Sequence, residues 1–334
     1  MISVTFYYQK DCAACQAAEQ LLDELQVDFP HKLVKINIDD EPILKEEFQN
    51  LVPVVQIGPY RLSQTFTRQD LQAVLGAARD RSSHLERIDE GYVDRIQKNR
   101  RITGTDRFTR WMSHHYMVLF NFVVFLFVGL PFLAPVLMKS GIEVPGKVIY
   151  SIYSPLCHQL AFRSWFLFGE QPYYPRALAN VPGVINYEQL TNENPVNVWE
   201  ARSFVGNDQI GYKVALCERD VAIYGGILLF GLIFAASKQR IKGVPWYVWI
   251  LVGLVPIGLD GVSQLPSLAG LNLPFWIPMR ESTPLLRSLT GGLFGFFTAW
   301  YIYPLIEETM KETRRLIVRK FAYHTQVQSG EATD

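Results

Sequence analysis

Cysteine is scarce in this sequence. Four copies occur in 334 residues: Cys12, Cys15, Cys157 and Cys217. Net charge is missing as well, with 32 Lys and Arg against 32 Asp and Glu. That balance gives a polyanion little to hold, so no nucleic-acid partner is expected. A secretory leader is not expected either. Met1-Ile2-Ser3-Val4-Thr5-Phe6 has no basic n-region and no small cleavage-type residues. The N-terminal region is therefore expected in the cytosol. Thiols stay reduced there, so Cys12-Ala13-Ala14-Cys15 points to redox or metal chemistry rather than to a structural bridge.

The even charge total hides an asymmetry. Residues 1–110 are rich in charge, while several later runs carry none. The runs 116–138, 221–237, 244–259 and 288–306 approach the ~20 apolar residues that a helix needs to cross the hydrocarbon. The last of them carries Gly291 and Gly295, a spacing that lets helices pack closely. A fifth stretch, 148–168, is interrupted by Pro155, Cys157, His158, Gln159, Arg163 and Ser164. Basic residues separate the options. Lys98, Arg100, Arg101, Arg107 and Arg110 precede the first run, Lys238, Arg240 and Lys242 join the second to the third, and Arg314, Arg315, Arg319 and Lys320 follow the last. Four spans place all three clusters on the cytoplasmic side. Five spans, the alternative, would put the 238–242 loop outside. Residues 148–168 are therefore expected to be re-entrant or interfacial. An extracytoplasmic insertion, mostly loop, is expected at about 169–213.

The charged N-terminal stretch has its own pattern. Residues 2–8, 31–38 and 52–57 read as strands, with a short fourth at 60–62. Helices are predicted from the CxxC to Leu25, over 42–48 and over 71–78, the last capped by Thr67-Arg68-Gln69-Asp70. This β-α-β-α-β-β-α order, with CxxC after the first strand, resembles the thioredoxin/glutaredoxin superfamily. The resemblance implies that Cys12 attacks, Cys15 resolves, Pro53 is the cis-proline facing them, and a thiol or disulfide is the partner. A place at a helix N-terminus would favour the Cys12 thiolate. The alanines between the cysteines depart from the proline or tyrosine of many active members.

The expected fold class is an α/β thioredoxin-like domain followed by an all-α polytopic transmembrane bundle. The expected division is 1–78 for the thioredoxin-like domain, 79–113 for a charged, partly helical connector, 114–308 for the transmembrane domain and 309–334 for a basic tail. The expected location is the inner (cytoplasmic) membrane, with the lipid bilayer as partner and both termini in the cytoplasm.

Four spans also gather the unusual polar residues at one level, the outer face. These are Cys157 and His158, then Cys217, Arg219 and Asp220, then Asp260 and Gln264, then Arg280, Glu281 and Arg287. Ionisable groups beside apolar runs are expensive and read as functional by default. A plain salt bridge from Asp260 to Arg219 or Arg280 is the competing reading. Here the chain resembles a family of prokaryotic membrane proteins defined as a domain of unknown function. The resemblance lies in Cys157-His158-Gln159, Arg163-Ser164, Cys217-Glu218-Arg219-Asp220-Val221-Ala222-Ile223-Tyr224-Gly225, Asp260-Gly261-Val262-Ser263-Gln264 and Arg287-Ser288-Leu289-Thr290-Gly291-Gly292. Where this chain has Asp220 the family commonly reads Cys. The resemblance implies no established activity.

Cys217 and Asp220 are three apart, so a helix puts them on one face. With Cys157 and His158 they make two sulfurs, an imidazole and a carboxylate, a set that suits tetrahedral zinc. The adjacent Cys157 and His158 can both join only through a local break, for which Pro155 is the candidate. Aspartate can replace cysteine as a metal ligand but not as a disulfide partner. Three readings follow. The first is a membrane-embedded, metal-dependent hydrolase acting on a lipid or other anionic substrate. In it Asp260 or Glu281 is the base, and Arg219, Gln264, Arg280 and Arg287 hold the anion. The second is a thiol relay from Cys12 and Cys15 to Cys157 and Cys217, which the topology opposes. The third is a non-catalytic carrier or assembly factor, stapled by a metal or by a Cys157–Cys217 disulfide.

Overall fold

The computed structural model describes residues 2–192, 196–265 and 280–328. The chain forms two compact units, Met1–His115 with Thr309–Asp334, and Tyr116–Glu308.

In the first unit, β1 (Ile2–Tyr8) is followed by α1 (Ala13–Leu25), β2 (His31–Asn37), α2 (Pro42–Phe48), β3 (Val54–Ile57) and β4 (Tyr60–Ser63). The sheet order is β2-β1-β3-β4, with β1 parallel to β2 and antiparallel to β3. Alternation along the strands makes both faces apolar. Val4, Phe6, Leu33, Val55 and Ile57 pack against α1 and against α3 (Arg68–Ile88). Tyr7, Val34, Ile36 and Val54 face the other way, toward Leu44 and Phe48 of α2. The α/β thioredoxin-like arrangement is thus present.

Two features differ from the sequence expectation. Helix α3 starts at a Thr67–Asp70 capping box but runs past Ala78 to Ile88, and α4 (Tyr92–Arg100) follows the break at Gly91. The stretch beyond Thr309 is more than a tail. Val318 is buried in the second sheet face, with Ala322, Tyr323 and Val327 packed around it. Arg319 pairs with Glu47 of α2. Residues 329–334 of the expected tail lie outside the described residues.

The second unit is mostly helical. Among the described residues, three helices are long and apolar enough to cross a membrane: α5 (Gly104–Lys139), α9 (Glu218–Ala236) and α11 (Pro284–Gln328). The fourth predicted run forms a shorter apolar helix, α10 (Trp246–Val262), which is π-helical over Trp249–Leu254. No continuous helix covers 148–168. Helix α6 (Glu143–Tyr153) stops, a turn carries Cys157, and β5 (Ser164–Leu167) begins after one 3-10 turn.

The insertion is more ordered than its loop-like composition suggested. It contains α7 (Tyr187–Thr191), α8 (Val198–Ser203), β6 (Gly206–Asn207) and β7 (Gly211–Cys217), and β7 pairs with both β5 and β6. The β5–β7 register sets Ser164 opposite Cys217. Phe162, Phe166, Tyr174 and Tyr187 fill a small core beside it.

Helices α9 and α11 approach at backbone distance. A Cβ added at Gly291 would lie 2.7 Å from the Arg219 carbonyl oxygen, and one at Gly295 would run into the Ile223 carbonyl. Hydrogen at these positions is what permits the contact. That contact carries Arg219 on α9 to the level of Arg287 on α11.

Candidate functional site

Helix α6 ends at Tyr153, and the chain turns sharply before β5. Gln159 sits at the turn with φ 52°, a left-handed conformation uncommon outside glycine. Its side-chain amide is tied inward, donating to the carbonyls of Tyr150 and Ala215 at 2.9 Å each. Cys157 is thereby buried against Tyr150, Tyr153, Ala215 and Leu216. Cys217 ends β7 and caps α9, its sulfur accepting from the Asp220 N–H at 3.5 Å. The Cys217 N–H donates to the Cys157 sulfur at 3.3 Å, and the Cys217 thiol donates to Asp220 Oδ2 at 3.1 Å.

One ligand atom from each of Cys157, Cys217 and Asp220 falls within 4.8 Å of the others. Both thiols are free. The Cys157 sulfur beside it, together with burial, pushes the Cys217 thiol well above its ordinary value, in keeping with its role as a donor to Asp220.

His158 is the correction to the expected ligand set. It is exposed and stands outside that cluster, although it lines the same cavity. The break does occur, but the inward tie of Gln159 orients it so that Cys157 goes in and His158 stays out.

The cavity has a volume of about 770 Å³, and Arg163, Arg219, Gln264 and Arg287 line it alongside the cysteines. Its polar side is a connected network. Asp260 pairs with Arg219 and, at 3.2 Å, with Arg280. Glu281 pairs with Arg287 and, at 2.7 Å, with Arg163. Arg287 also reaches Glu218 at 3.4 Å. Gln264 joins the halves, donating to Asp260 Oδ2 at 3.2 Å and accepting from Arg287 at 3.1 Å.

Every predicted binding residue is thus brought together, yet each is engaged within the protein. Asp260 and Glu281, expected as bases, each face two guanidiniums, which is the geometry of a counter-ion. Two participants were not singled out from sequence, Glu218 and Arg163. Both stood in the motifs quoted for the resemblance, Glu218 beside Cys217 and Arg163 inside an apolar stretch, without a role of their own.

A third buried ion was also missed. Lys213 of β7 is 1% exposed and donates to the carbonyls of Gln159 at 2.8 Å and Arg202 at 2.6 Å. Burial pulls its ammonium down to about 7. It braces the turn that carries Cys157.

In the first unit, Cys12 and Cys15 are disulfide-bonded. Cys12 caps α1, its sulfur accepting from the Cys15 N–H at 3.1 Å. Cys15 is buried and Cys12 half-buried. The Val52–Pro53 peptide is cis, and Pro53 is buried.

Residues 3–76 match the family described as a glutaredoxin-like domain (DUF836). Residues 200–301 match the family described as a predicted membrane protein (DUF2085). The chain thus matches a glutaredoxin-like domain in its N-terminal part and a membrane domain of unknown function in its C-terminal part, in one fusion. The membrane match takes in Cys217, Asp220, Arg219, Arg280 and Arg287 but begins after Cys157 and Arg163. An uncharacterized protein of Methanocaldococcus jannaschii is 25% identical over 202 residues, covering 59% of this chain and 94% of that protein. No solved structure matches the fusion protein.

Proposed function

We propose that the fusion protein is a membrane-bound thiol–disulfide oxidoreductase whose membrane unit holds a metal ion, zinc by its donor chemistry. Cys157, Cys217 and Asp220 are the ligands. Two thiolates and a carboxylate match the preference of zinc and leave a fourth position, which the cavity supplies. Cys12 and Cys15 carry the thiol chemistry, on the cytoplasmic side of an inner membrane. The proximity of those three ligand atoms, drawn from segments sixty residues apart in sequence, is the observation that carries the metal assignment.

Metal analysis of the purified full chain tests it. About one zinc per chain, lost in Cys217→Ser, is the expected result. Metal-free protein with Cys157 joined to Cys217 would overturn it in favour of a structural disulfide.

A hydrolytic role is the second reading, favoured by the cavity beside the trio. Zinc with an open position lowers the pKa of bound water to about 7. Asp260 and Glu281 serve that reading better as counter-ions that fix the arginines than as bases.

A further inference from the structure

We infer that the cavity beside Cys157 and Cys217 binds an amphiphile with an anionic phosphate head and a long apolar chain. The proposal deepens the metal reading, since it shares that cavity, but its chemistry comes from other groups.

Three guanidiniums, those of Arg163, Arg219 and Arg287, line the cavity, and Arg280 joins their network through Asp260. Three carboxylates face them, from Glu218, Asp260 and Glu281. Asp220 is engaged with the Cys217 thiol. Counting Asp220, which lines the same cavity, guanidiniums and carboxylates balance, so the arginine donors rather than a net charge suit an anion. Two donors are also left over. Arg219 Nε and Arg287 Nε are buried and meet no acceptor among the described residues, and both residues line the cavity. Arg287 is 2% exposed, so its unmatched N–H cannot be satisfied by bulk water. Both N–H groups are closed to solvent as the side chains stand, so an oxyanion in the cavity would become their acceptor once the guanidinium turns toward it, and a buried donor left without one is costly.

Other lining residues have the contrary character: Leu156, Ile257, Val262 and Leu265 are apolar, and Leu156, Val262 and Leu265 are all more than half exposed. Two of these four belong to α10, an apolar helix of a membrane domain. Such a lining offers water nothing to bond and offers an alkyl chain about 0.8 kcal/mol per buried methylene. A free phosphate would use only the polar end. A neutral lipid would use only the apolar lining. An alkyl phosphate uses both.

The test is titration of the full chain in uncharged detergent with hexadecyl phosphate, hexadecanol and inorganic phosphate, with zinc counted in the same samples. Hexadecyl phosphate is expected to bind at least about tenfold more tightly than either comparison compound, a difference of about 1.4 kcal/mol. Val262→Trp, which fills the apolar lining, should weaken that binding by a similar factor while zinc is retained. Ile257→Trp serves the same purpose if the first variant does not fold. Equal binding of inorganic phosphate would show a free-anion site and overturn the proposal. So would equal binding of hexadecanol, or no binding by any of the three. Loss of zinc with alkyl phosphate binding intact would remove the metal reading and leave this one standing.

Discussion

The backbone N–H of Cys217 donates to the sulfur of Cys157 at 3.3 Å. That bond joins the end of β7 to the turn after α6. It explains why two distant cysteines meet without being bonded to each other, with Asp220 completing the group one helical turn on.

If Asp220 is a ligand, its charge and reach matter more than its identity. Asp220→Cys should keep zinc, because a thiolate replaces a carboxylate. Asp220→Ala should lose it. Metal analysis of the two variants checks this, and equal zinc in both would remove Asp220 from the ligand set.

Arg287 is the centre of the buried ion network. Arg287→Met should destabilise the chain by about 3–5 kcal/mol, because Glu218 is left buried without its counter-ion and Glu281 keeps only Arg163. Adding Glu218→Gln to that variant should recover part of the loss. Denaturant unfolding in mild detergent gives both values. A single variant as stable as the parent would contradict the pairing.

Lys213 predicts a pH slope. Its folded-state value is about 7, below the ordinary 10.5. Between those values the unfolded chain binds more protons, so its contribution to stability rises with pH. Below about 7 both states are protonated and the full burial cost is felt. Thermal unfolding at pH 7 and pH 9.5 should show a gain at the higher pH that Lys213→Met abolishes. The same gain in both proteins would assign it to other groups.

In the proposed oxidoreductase role, half-buried Cys12 is the attacking thiol and buried Cys15 the resolving one. The Cys12 thiolate of the reduced protein would attack a partner disulfide, forming a mixed disulfide and releasing the partner's other thiolate. Cys15 would then displace the partner and close the Cys12–Cys15 bond. Cys15→Ser should therefore accumulate the mixed disulfide, and Cys12→Ser should not. Non-reducing electrophoresis with a disulfide probe distinguishes them, and trapping through Cys15 alone would reverse the assignment.

The glutaredoxin-like half was legible because its signals are local. Strand alternation, the CxxC after β1 and the Thr67–Asp70 cap each lie within a few residues. The packing of Val318 against Tyr7 and Phe48 was not, because nothing near Val318 names its distant partner. In the membrane half, charge bias grouped Asp260, Arg280 and Arg287, and the structure joins them in one network through Gln264. Charge bias did not show which carboxylate each arginine takes, since Arg163–Glu281 and Arg287–Glu218 span 118 and 69 residues. His158 was misassigned because adjacency to Cys157 was visible while the inward tie of Gln159 was not. Strand β7 was hidden by its buried Lys213, which broke an otherwise apolar run.

The central claim is that two sulfurs and one carboxylate oxygen share a single ion. X-ray absorption at the zinc edge of the full chain tests it directly. The account predicts two sulfur neighbours at about 2.3 Å and lighter atoms at about 2.0–2.2 Å. A zinc shell without sulfur, or protein that takes up no zinc after reduction, would contradict it.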